Sequence, residues 1–197
     1  MSRPLVEMAV ASWTLAGQGE CGDLHVMEPY TDGVLLAVVD GIGHGAEAAK
    51  VAKIVTAILK DRPHDSPITL IRECHENLRT TRGAVLGLAS FNVVNQTMCW
   101  TGVGNVEGKL FSTDRRAPPK TLLSSPGTLG HGTVEVRPDE IPIRIGDTLI
   151  LATDGVRNDF YLGLDIHQLP QAIADHILAR SARRTDDALV LVGRYTG

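Results

Sequence analysis

The stretch AVVDGIGHGAEAAK, from Ala37 to Lys50, joins three kinds of local structure. An apolar strand ends in a carboxylate at Asp40, a glycine-rich turn follows, and an alanine-rich helix begins. Such a turn can serve two chemistries. Its backbone N–H groups can bind a phosphate at the N-terminus of the helix, or Asp40 can bind a hard metal ion. The rest of the sequence has to decide between them.

The motif GIGHGA in this stretch also matches the glycine pattern of dinucleotide-binding turns, which follow a strand and open a helix. Asp40 argues against that interpretation, because it would place a negative charge beside the pyrophosphate. Asp61, the acidic residue about 20 positions further on, falls in a loop that ends the helix and not at the tip of a second parallel strand. A dinucleotide cofactor is therefore disfavoured.

Hydrophobic periodicity predicts the first half of the fold. Val6–Thr14 alternates loosely, and the continuous apolar run Gly33–Val39 predicts a strand that is buried on both faces. Apolar residues at helical spacing predict a helix over Ala46–Leu59. A second helix is predicted from a Ser66 cap to about Arg79.

The second half of the chain changes character. Six short apolar runs separated by turn residues predict a β-meander: AVLGLASFNVV, QTMCWTGVG, NVEGKLFST, KTLLSS, TVEVRP and TLILATDG. A helix over about His167–Arg184 and a last strand, ALVLVGRY, follow. Short turns between consecutive strands imply antiparallel pairing, and grouped helices imply layers outside the sheets. The predicted fold class is therefore α+β, not doubly wound α/β.

Bulk composition limits the function classes. The chain has 197 residues, 43% of them hydrophobic, which predicts one domain over residues 1–197. The net charge of −4, with acids and bases interspersed, argues against nucleic acid or an anionic membrane as partner. The three cysteines form no C-x-x-C pair, and no apolar run approaches the roughly 20 residues that span a membrane. We expect a cytoplasmic protein.

Aspartates stand at strand ends in several places along the chain. Asp40 and Asp154 each end an apolar strand and precede a glycine, the pair Asp186–Asp187 opens the last strand, and Asp23 is a weaker fourth case. A single Asp-Gly after a strand is ordinary turn chemistry. If the sheets bring these strand ends together, however, the carboxylates repel one another and need cations. Oxygen ligands of this kind suit Mg²⁺ or Mn²⁺.

The order of these motifs resembles the PPM-type metal-dependent serine/threonine protein phosphatases, in their compact bacterial, SpoIIE-like branch. That branch carries a G-D near its start, D-x-x-G-H-G at a strand–helix junction, a central G-N or G-H, T-D-G, and D-D before a terminal strand. The corresponding segments here, in the same order, are CGD ending at Asp23, DGIGHG from Asp40, VGN ending at Asn105, ATDGV around Asp154, and TDDALVLV from Thr185. The resemblance covers nearly the whole chain.

The resemblance implies a four-layer α/β/β/α sandwich, with two antiparallel sheets flanked by a helix pair on each side. It also implies a centre of two Mn²⁺ or Mg²⁺ ions at one end of the sandwich. By the same resemblance, Asp40 would bind both ions, the Gly41 carbonyl one of them, and Asp154 with Asp186 would complete the second site. Asp187 would support Asp186, although the reverse assignment stays open. Asp23 would act through metal-bound waters or bind a third, weaker ion.

Two such ions lower the pKa of a shared water toward about 7 and hold the phosphoryl oxygens. No covalent enzyme intermediate is required, and the sequence has no G-x-S-x-G motif. The candidate catalytic residues are Asp40, Asp154 and His44. His44 would protonate the leaving oxygen, or else it is a residue of the helix start that packs locally.

The compact length, RGA from Arg82 and VGNV from Val103 look most like stand-alone phosphatases that reset the bacterial stressosome. The implied partners are phosphorylated STAS-domain proteins. Two alternatives remain: a pseudophosphatase that binds a phosphoprotein without turnover, and a hydrolase of small phosphoesters. Leu189 departs from the Thr or Ser of many relatives. The early Arg with which larger members bind phosphate is not found, so phosphate binding would depend on the metals.

Overall fold

The computed structural model describes residues 4–114 and 117–197, which form two five-stranded antiparallel sheets stacked face to face. Sheet I has the strand order β1-β10-β9-β6-β7, and sheet II has the order β2-β3-β4-β5-β8. The elements are β1 (Val6–Trp13), β2 (Asp23–Tyr30), β3 (Gly33–Gly41), α1 (Ala46–Asp61), α2 (Pro67–Asn77), β4 (Ala84–Asn92), β5 (Thr97–Val103), β6 (Glu107–Phe111), β7 (Lys120–Leu122), β8 (Asp139–Pro142), β9 (Thr148–Ala152), α3 (Pro170–Ser181) and β10 (Ala188–Tyr195).

Strand β3 shows why the sheets stack in layers. Leu36 and Val38 point into the core between the two sheets, whereas Leu35, Ala37 and Val39 point into a second core under α1 and α2. Because successive side chains of a strand face opposite sides, a continuous apolar run fits a strand that is covered on both faces. The predicted burial of this strand on both faces is confirmed.

Helices α1 and α2 cover the outer face of sheet II. The Ser66 side chain accepts a hydrogen bond from the Thr69 N–H (3.2 Å), so the predicted cap of α2 is present. Pro67 occupies the first turn, where its missing N–H costs nothing.

The outer face of sheet I is covered by α3, whose Ile173, Ala174 and Ile177 pack against the sheet. The four layers are therefore α1/α2, sheet II, sheet I and α3, and the predicted α+β sandwich is confirmed. One detail differs from the implied helix pairs: within the described residues α3 is the one helix on this side. It begins at Pro170 and not near His167, because the preceding segment, residues 157–169, consists of turns.

Another sequence-based prediction was wrong. The segment TVEVRP, residues 133–138, was predicted as a strand, but it joins neither sheet. Val134 and Val136 still pack against the core under α1 and α2. Alternating hydrophobicity indicates burial of one face, and here the segment achieves that burial without ladder hydrogen bonds. The strand that pairs with β5 is instead β8, immediately after it.

Sheet I joins the two ends of the described chain, because β1 pairs with β10 along its full length. The β10 register then places β9 on its other side. In consequence, the C-terminal ends of β1 and β9 and the N-terminal end of β10 lie at one edge of the sandwich. No helix in residues 4–114 or 117–197 combines the length and hydropathy that crossing a membrane requires.

Candidate metal centre

The aspartates predicted from the sequence meet at this edge. Asp23 pairs directly with Asp40 across β2 and β3, and Asp154 and Asp186 lie at the ends of β9 and β10 in the opposite sheet. Asp40, Asp154 and Asp186 line one open cavity of about 490 Å³. The two sheets therefore each contribute carboxylates to a single cleft.

The backbone after Asp40 is fixed by contacts that only glycine permits. A Cβ on Gly41 would lie 2.2 Å from the Ala48 carbonyl oxygen, so any other residue would displace α1. The Gly41 N–H donates to the Gly22 carbonyl (3.1 Å), and the Ile42 N–H donates to the Gly83 carbonyl (3.0 Å). These bonds tie the turn to its neighbours on both sides and hold Asp40 at the mouth of the cleft.

Asp186 and Asp187 differ in burial and in hydrogen bonding. Asp187 is buried, and its two carboxylate oxygens accept hydrogen bonds from the Leu15 N–H (2.7 Å) and the Gly22 N–H (2.6 Å). Asp186 is half-buried and lines the cleft, and among the described residues it accepts a hydrogen bond only from the N–H of Asp187 (2.9 Å). This geometry favours Asp186 as the ligand and Asp187 as the residue that anchors the loops, which was the preferred assignment from the sequence.

Gly155, which follows Asp154, packs against the backbone of Asp187. A Cβ at this position would lie 1.8 Å from the Asp187 carbonyl oxygen. The Asp-Gly pair therefore serves close packing of two loops in addition to any turn chemistry, because no side chain fits between the β9 and β10 strand ends.

Asp23 is held by a residue that the sequence motifs did not single out. The buried Thr153 hydroxyl donates to the Asp23 carboxylate (2.7 Å) and accepts from the Leu189 N–H (2.9 Å). This chain of bonds crosses from sheet I to sheet II. Thr153 directly precedes Asp154 in the ATDGV segment, and the sequence assigned it no role because its partner Asp23 lies 130 residues away.

Asn105 has a comparable role toward Asp154. Its Nδ2 donates to Asp154 Oδ2 (2.8 Å), and both residues line the cleft. Asp154 is exposed, so this bond is what orients its carboxylate. The sequence placed Asn105 in a motif without naming its partner, since the pairing depends on how the β5–β6 turn meets β9.

The electrostatics of the cleft are unfavourable without a cation. Burial, together with repulsion from Asp23, Asp154, Asp186 and Asp187, raises the pKa of Asp40 to about 9. Burial raises the pKa of Asp23 to about 7, against the hydrogen bond from Thr153. Within the described part of the chain, no Lys or Arg forms an ion pair with these aspartates. A divalent cation would supply the missing positive charge.

The donor set fits Mg²⁺ or Mn²⁺, because it consists of carboxylates and a backbone carbonyl and contains no sulfur or imidazole. Among residues 4–114 and 117–197, no three acidic, histidine or cysteine side chains are close enough to enclose an ion by themselves. Magnesium usually keeps several waters and takes only one or two carboxylates from the protein. The open cleft agrees with that mode of binding.

His44 does not line the cleft with Asp40. It is exposed, forms no hydrogen bond with any described residue, and precedes Gly45, the residue that caps α1. It is therefore not a packed residue of the helix start. Its side chain is exposed in the turn that follows Asp40, and its catalytic role stays a prediction.

The topology also removes the dinucleotide interpretation. Strand β3 lies between β2 and β4 and pairs with both in antiparallel fashion. The turn before α1 is therefore not part of a β-α-β unit with parallel strands, which a dinucleotide fingerprint requires.

Comparisons with known proteins identify a family and similar proteins. Residues 30–196 match the family model described as stage II sporulation protein E (SpoIIE). Phosphoserine phosphatase RsbX of Bacillus subtilis (strain 168) is 22% identical over 181 residues, which cover 91% of this chain and 90% of RsbX. The residues matched by the family model include Asp40, Asp154, Asp186 and Asp187 and begin after Asp23.

Solved structures show the same fold. RsbX in complex with magnesium superposes with a TM-score of 0.84 at 20% identity, covering 100% of this chain and 98% of that one. A chain from work on the bacterial stressosome, described as a modular system adapted to control secondary messenger signaling, superposes with a TM-score of 0.87 at 27% identity. It covers 96% of this chain and 99% of its own length.

Proposed function

The chain belongs to the SpoIIE family of PP2C-type phosphatases and is a metal-dependent protein serine/threonine phosphatase; from this premise we propose how its site works and which protein it dephosphorylates. The substrate we propose is a phosphorylated STAS-domain protein of a bacterial stressosome. The observation that carries the site assignment is the convergence of Asp40, Asp154 and Asp186 from two sheets on one cleft.

In this proposal the cleft binds two Mn²⁺ or Mg²⁺ ions. Asp40 and the Gly41 carbonyl would hold one ion, Asp40, Asp154 and Asp186 the other, and Asp23 a third, weaker ion or metal-bound waters. Bound ions of this kind polarise phosphoryl oxygens and lower the pKa of water, so that water can act as the nucleophile at neutral pH.

The protein groups around the cleft keep the ligands in place. Asn105 fixes the orientation of the Asp154 carboxylate, and Thr153 fixes that of Asp23. Asp187 ties the loop that carries Asp186 to the backbone of Leu15 and Gly22. Such supporting bonds hold a ligand's rotamer and basicity, and their loss commonly costs 10–100-fold in metal affinity or activity. His44 is the proposed donor of a proton to the leaving serine or threonine oxygen.

The proposed partner rests on similarity along the whole chain. Both the phosphoserine phosphatase RsbX and the stressosome-related chain align with more than nine-tenths of this protein. We further propose that residues 1–197 act as one phosphatase domain, since β1, near the start of the sequence, pairs with β10, near its end. Cys21, Cys74 and Cys99 form no disulfide, which supports a cytoplasmic location.

The test is dephosphorylation of a phosphorylated STAS-domain protein in Mn²⁺, with Asp40→Asn as the site variant. Asp61→Asn, which removes one exposed charge at the end of α1, is the matched control. We expect turnover by the wild type and the control, and loss of turnover with EDTA or with Asp40→Asn. Turnover that survives both treatments would refute the two-metal proposal.

Two further measurements distinguish the two alternatives. A pseudophosphatase would bind the phosphoprotein without turnover, and failure of the wild type to bind Mn²⁺ in calorimetry would favour it. A hydrolase of small phosphoesters would turn over p-nitrophenyl phosphate far faster than the phosphoprotein. The complete set of cleft aspartates favours the phosphatase.

A further inference from the structure

Arg82 is a cation at the mouth of the cleft that the proposed mechanism does not use. It lies in the loop between α2 and β4, in the RGA segment that the sequence singled out. The Arg82 side chain is exposed, and its guanidinium makes no hydrogen bond or ion pair with any described residue. Arg79 in the same loop differs, because it donates two hydrogen bonds to Glu76, each of 2.7 Å.

The backbone of this loop is fixed although the side chain is free. The Gly83 carbonyl accepts from the Ile42 N–H, which belongs to the turn after Asp40. The Arg82 carbonyl is 3.0 Å from His131 Nε2. Gly83 has a φ of +84°, and a Cβ there would lie 2.5 Å from the Leu129 carbonyl oxygen, so the position requires glycine. These contacts position the Arg82 backbone beside the cleft.

The guanidinium itself lies over the turn. Arg82 Nη1 is so placed that a Cβ added to Gly43 would be 3.1 Å from it. Gly43 and Ile42 line the same cavity as Asp40, Asp154 and Asp186. Arg82 is therefore next to the acidic cleft without being neutralised by any of its carboxylates.

Two divalent ions would not neutralise all the negative charge in the substrate-bound cleft, so a further cation would be favourable. Three aspartates and a phosphate monoester dianion carry roughly five negative charges, of which two divalent ions would neutralise about four. Arginine suits the remainder, because its planar fork of N–H donors matches two phosphoryl oxygens at once. A lysine would offer the charge without that geometry.

We infer that Arg82 binds the phosphoryl oxygens of the substrate at the rim of the cleft. The inference rests on the proposed function, since it assigns a residue to that same site. It differs from the expectation that phosphate binding depends on the metals alone, which followed because the early Arg of larger relatives is not found. The loop before β4 brings one to the cleft from the middle of the sequence.

The experiment compares Arg82→Ala and Arg82→Lys with Arg79→Ala, the matched control, which removes the same charge three residues away. Inorganic phosphate is titrated into the Mg²⁺-loaded full chain by calorimetry, and KM and kcat are measured with p-nitrophenyl phosphate. We expect Arg82→Ala to raise both the Kd for phosphate and KM by about 10- to 100-fold, the range for hydrogen bonds to a charged group. Arg82→Lys should fall between Arg82→Ala and the wild type.

Two further measurements separate binding from structural damage. We expect kcat to change less than KM, because the interaction forms in the ground state as well as the transition state. The affinity for Mg²⁺ without phosphate should stay within about threefold of the wild type, since Arg82 bonds to none of the aspartates. A large loss of Mg²⁺ affinity in Arg82→Ala would overturn the inference in favour of a role in the metal site.

The outcomes distinguish this inference from the proposed function. Equal phosphate affinity of Arg82→Ala and Arg79→Ala in an active enzyme would overturn the inference and leave the function standing. Phosphate binding that depends on Arg82 in a protein without turnover would support the inference and refute the function. A wild type that neither binds phosphate nor hydrolyses phosphoesters would refute both.

Discussion

Replacing Asp40 with asparagine should stabilise the metal-free protein while it abolishes metal binding. Asp40 is the carboxylate on which burial and the repulsion of four neighbouring aspartates converge, with a pKa raised from 3.8 to about 9. Because each pKa unit corresponds to about 1.4 kcal/mol, folding at pH 8 without metal costs several kcal/mol, since a carboxyl that is ionised in the unfolded chain must take up a proton. Asparagine has nearly the same size and is neutral in both states.

The expected net gain is smaller than the full repulsion, because the amide also needs hydrogen-bond partners in the half-buried cleft. We expect about 2 kcal/mol at pH 8. For a chain of this length, about 2–4 °C per kcal/mol corresponds to a rise in Tm of about 4–8 °C. The assay is thermal unfolding of wild type, Asp40→Asn and the surface control Asp61→Asn in EDTA.

The pH dependence of stability independently tests whether Asp40→Asn stabilises the metal-free protein. A carboxyl whose pKa is raised in the folded state stabilises the protein below its unfolded value of 3.8, and this stability is lost as pH rises toward about 9. The difference in Tm between Asp40→Asn and the wild type should therefore grow from pH 5.5 to pH 8. Asp61→Asn should show no such trend.

Addition of Mn²⁺ should reverse the order of stability. At 100 times its Kd, a bound ion stabilises the wild type by about 2.7 kcal/mol, and Asp40→Asn should gain little. Lower stability of Asp40→Asn than of the wild type in EDTA at pH 8 would contradict this role of Asp40, and so would an equal rise in the Tm of both proteins with Mn²⁺.

Three other variants test single contacts. Asn105→Ala should lower Mn²⁺ affinity or kcat by about 10-fold or more, because Asp154 loses the bond that orients it; calorimetry and kinetics measure this. Gly155→Ala should prevent stable folding, seen as a lost or strongly lowered unfolding transition, since its Cβ would lie 1.8 Å from the Asp187 carbonyl oxygen. Asp187→Asn should cost about 3 kcal/mol in the free energy of unfolding measured with denaturant, because its amide would face a buried N–H such as that of Gly22.

Each of these variants has a matched control. Asn95→Ala removes an exposed amide from a turn, and Gly19→Ala adds a Cβ with no heavy atom within 4 Å. Asp186→Asn, beside Asp187, should leave the metal-free fold at least as stable as the wild type. A variant and its control with equal effects would mean that the contact named here does not carry the function assigned to it.

The sequence predicted the layers of the fold well where burial alone determines the structure. Strand β10 coincides with the run ALVLVGRY, because a continuous apolar stretch has no alternative to a strand covered on both faces. Residues 133–138 show the limit: alternation of Val134 and Val136 indicates a buried face but not a hydrogen-bonded partner. Periodicity also did not predict the number of helices outside sheet I, because turns as well as α3 cover that face.

In the candidate site, too, some residues could be predicted from the sequence and others could not. Asp40, Asp154 and Asp186 were predictable, because each stands at a strand end and antiparallel strands bring such ends to shared edges. The supporting residues Asn105 and Thr153 were not assigned partners, since their hydrogen bonds depend on how loops from different sheets meet. Arg82 was not assigned a role, because nothing in the local sequence shows that its loop contacts the turn after Asp40.

Anomalous diffraction from crystals soaked in Mn²⁺ would locate the metal ions directly. We expect strong anomalous peaks from ions bound in the cleft by Asp40, Asp154 and Asp186, and we expect these peaks to disappear in crystals of Asp40→Asn. Manganese bound elsewhere on the surface, with none in this cleft, would contradict this assignment.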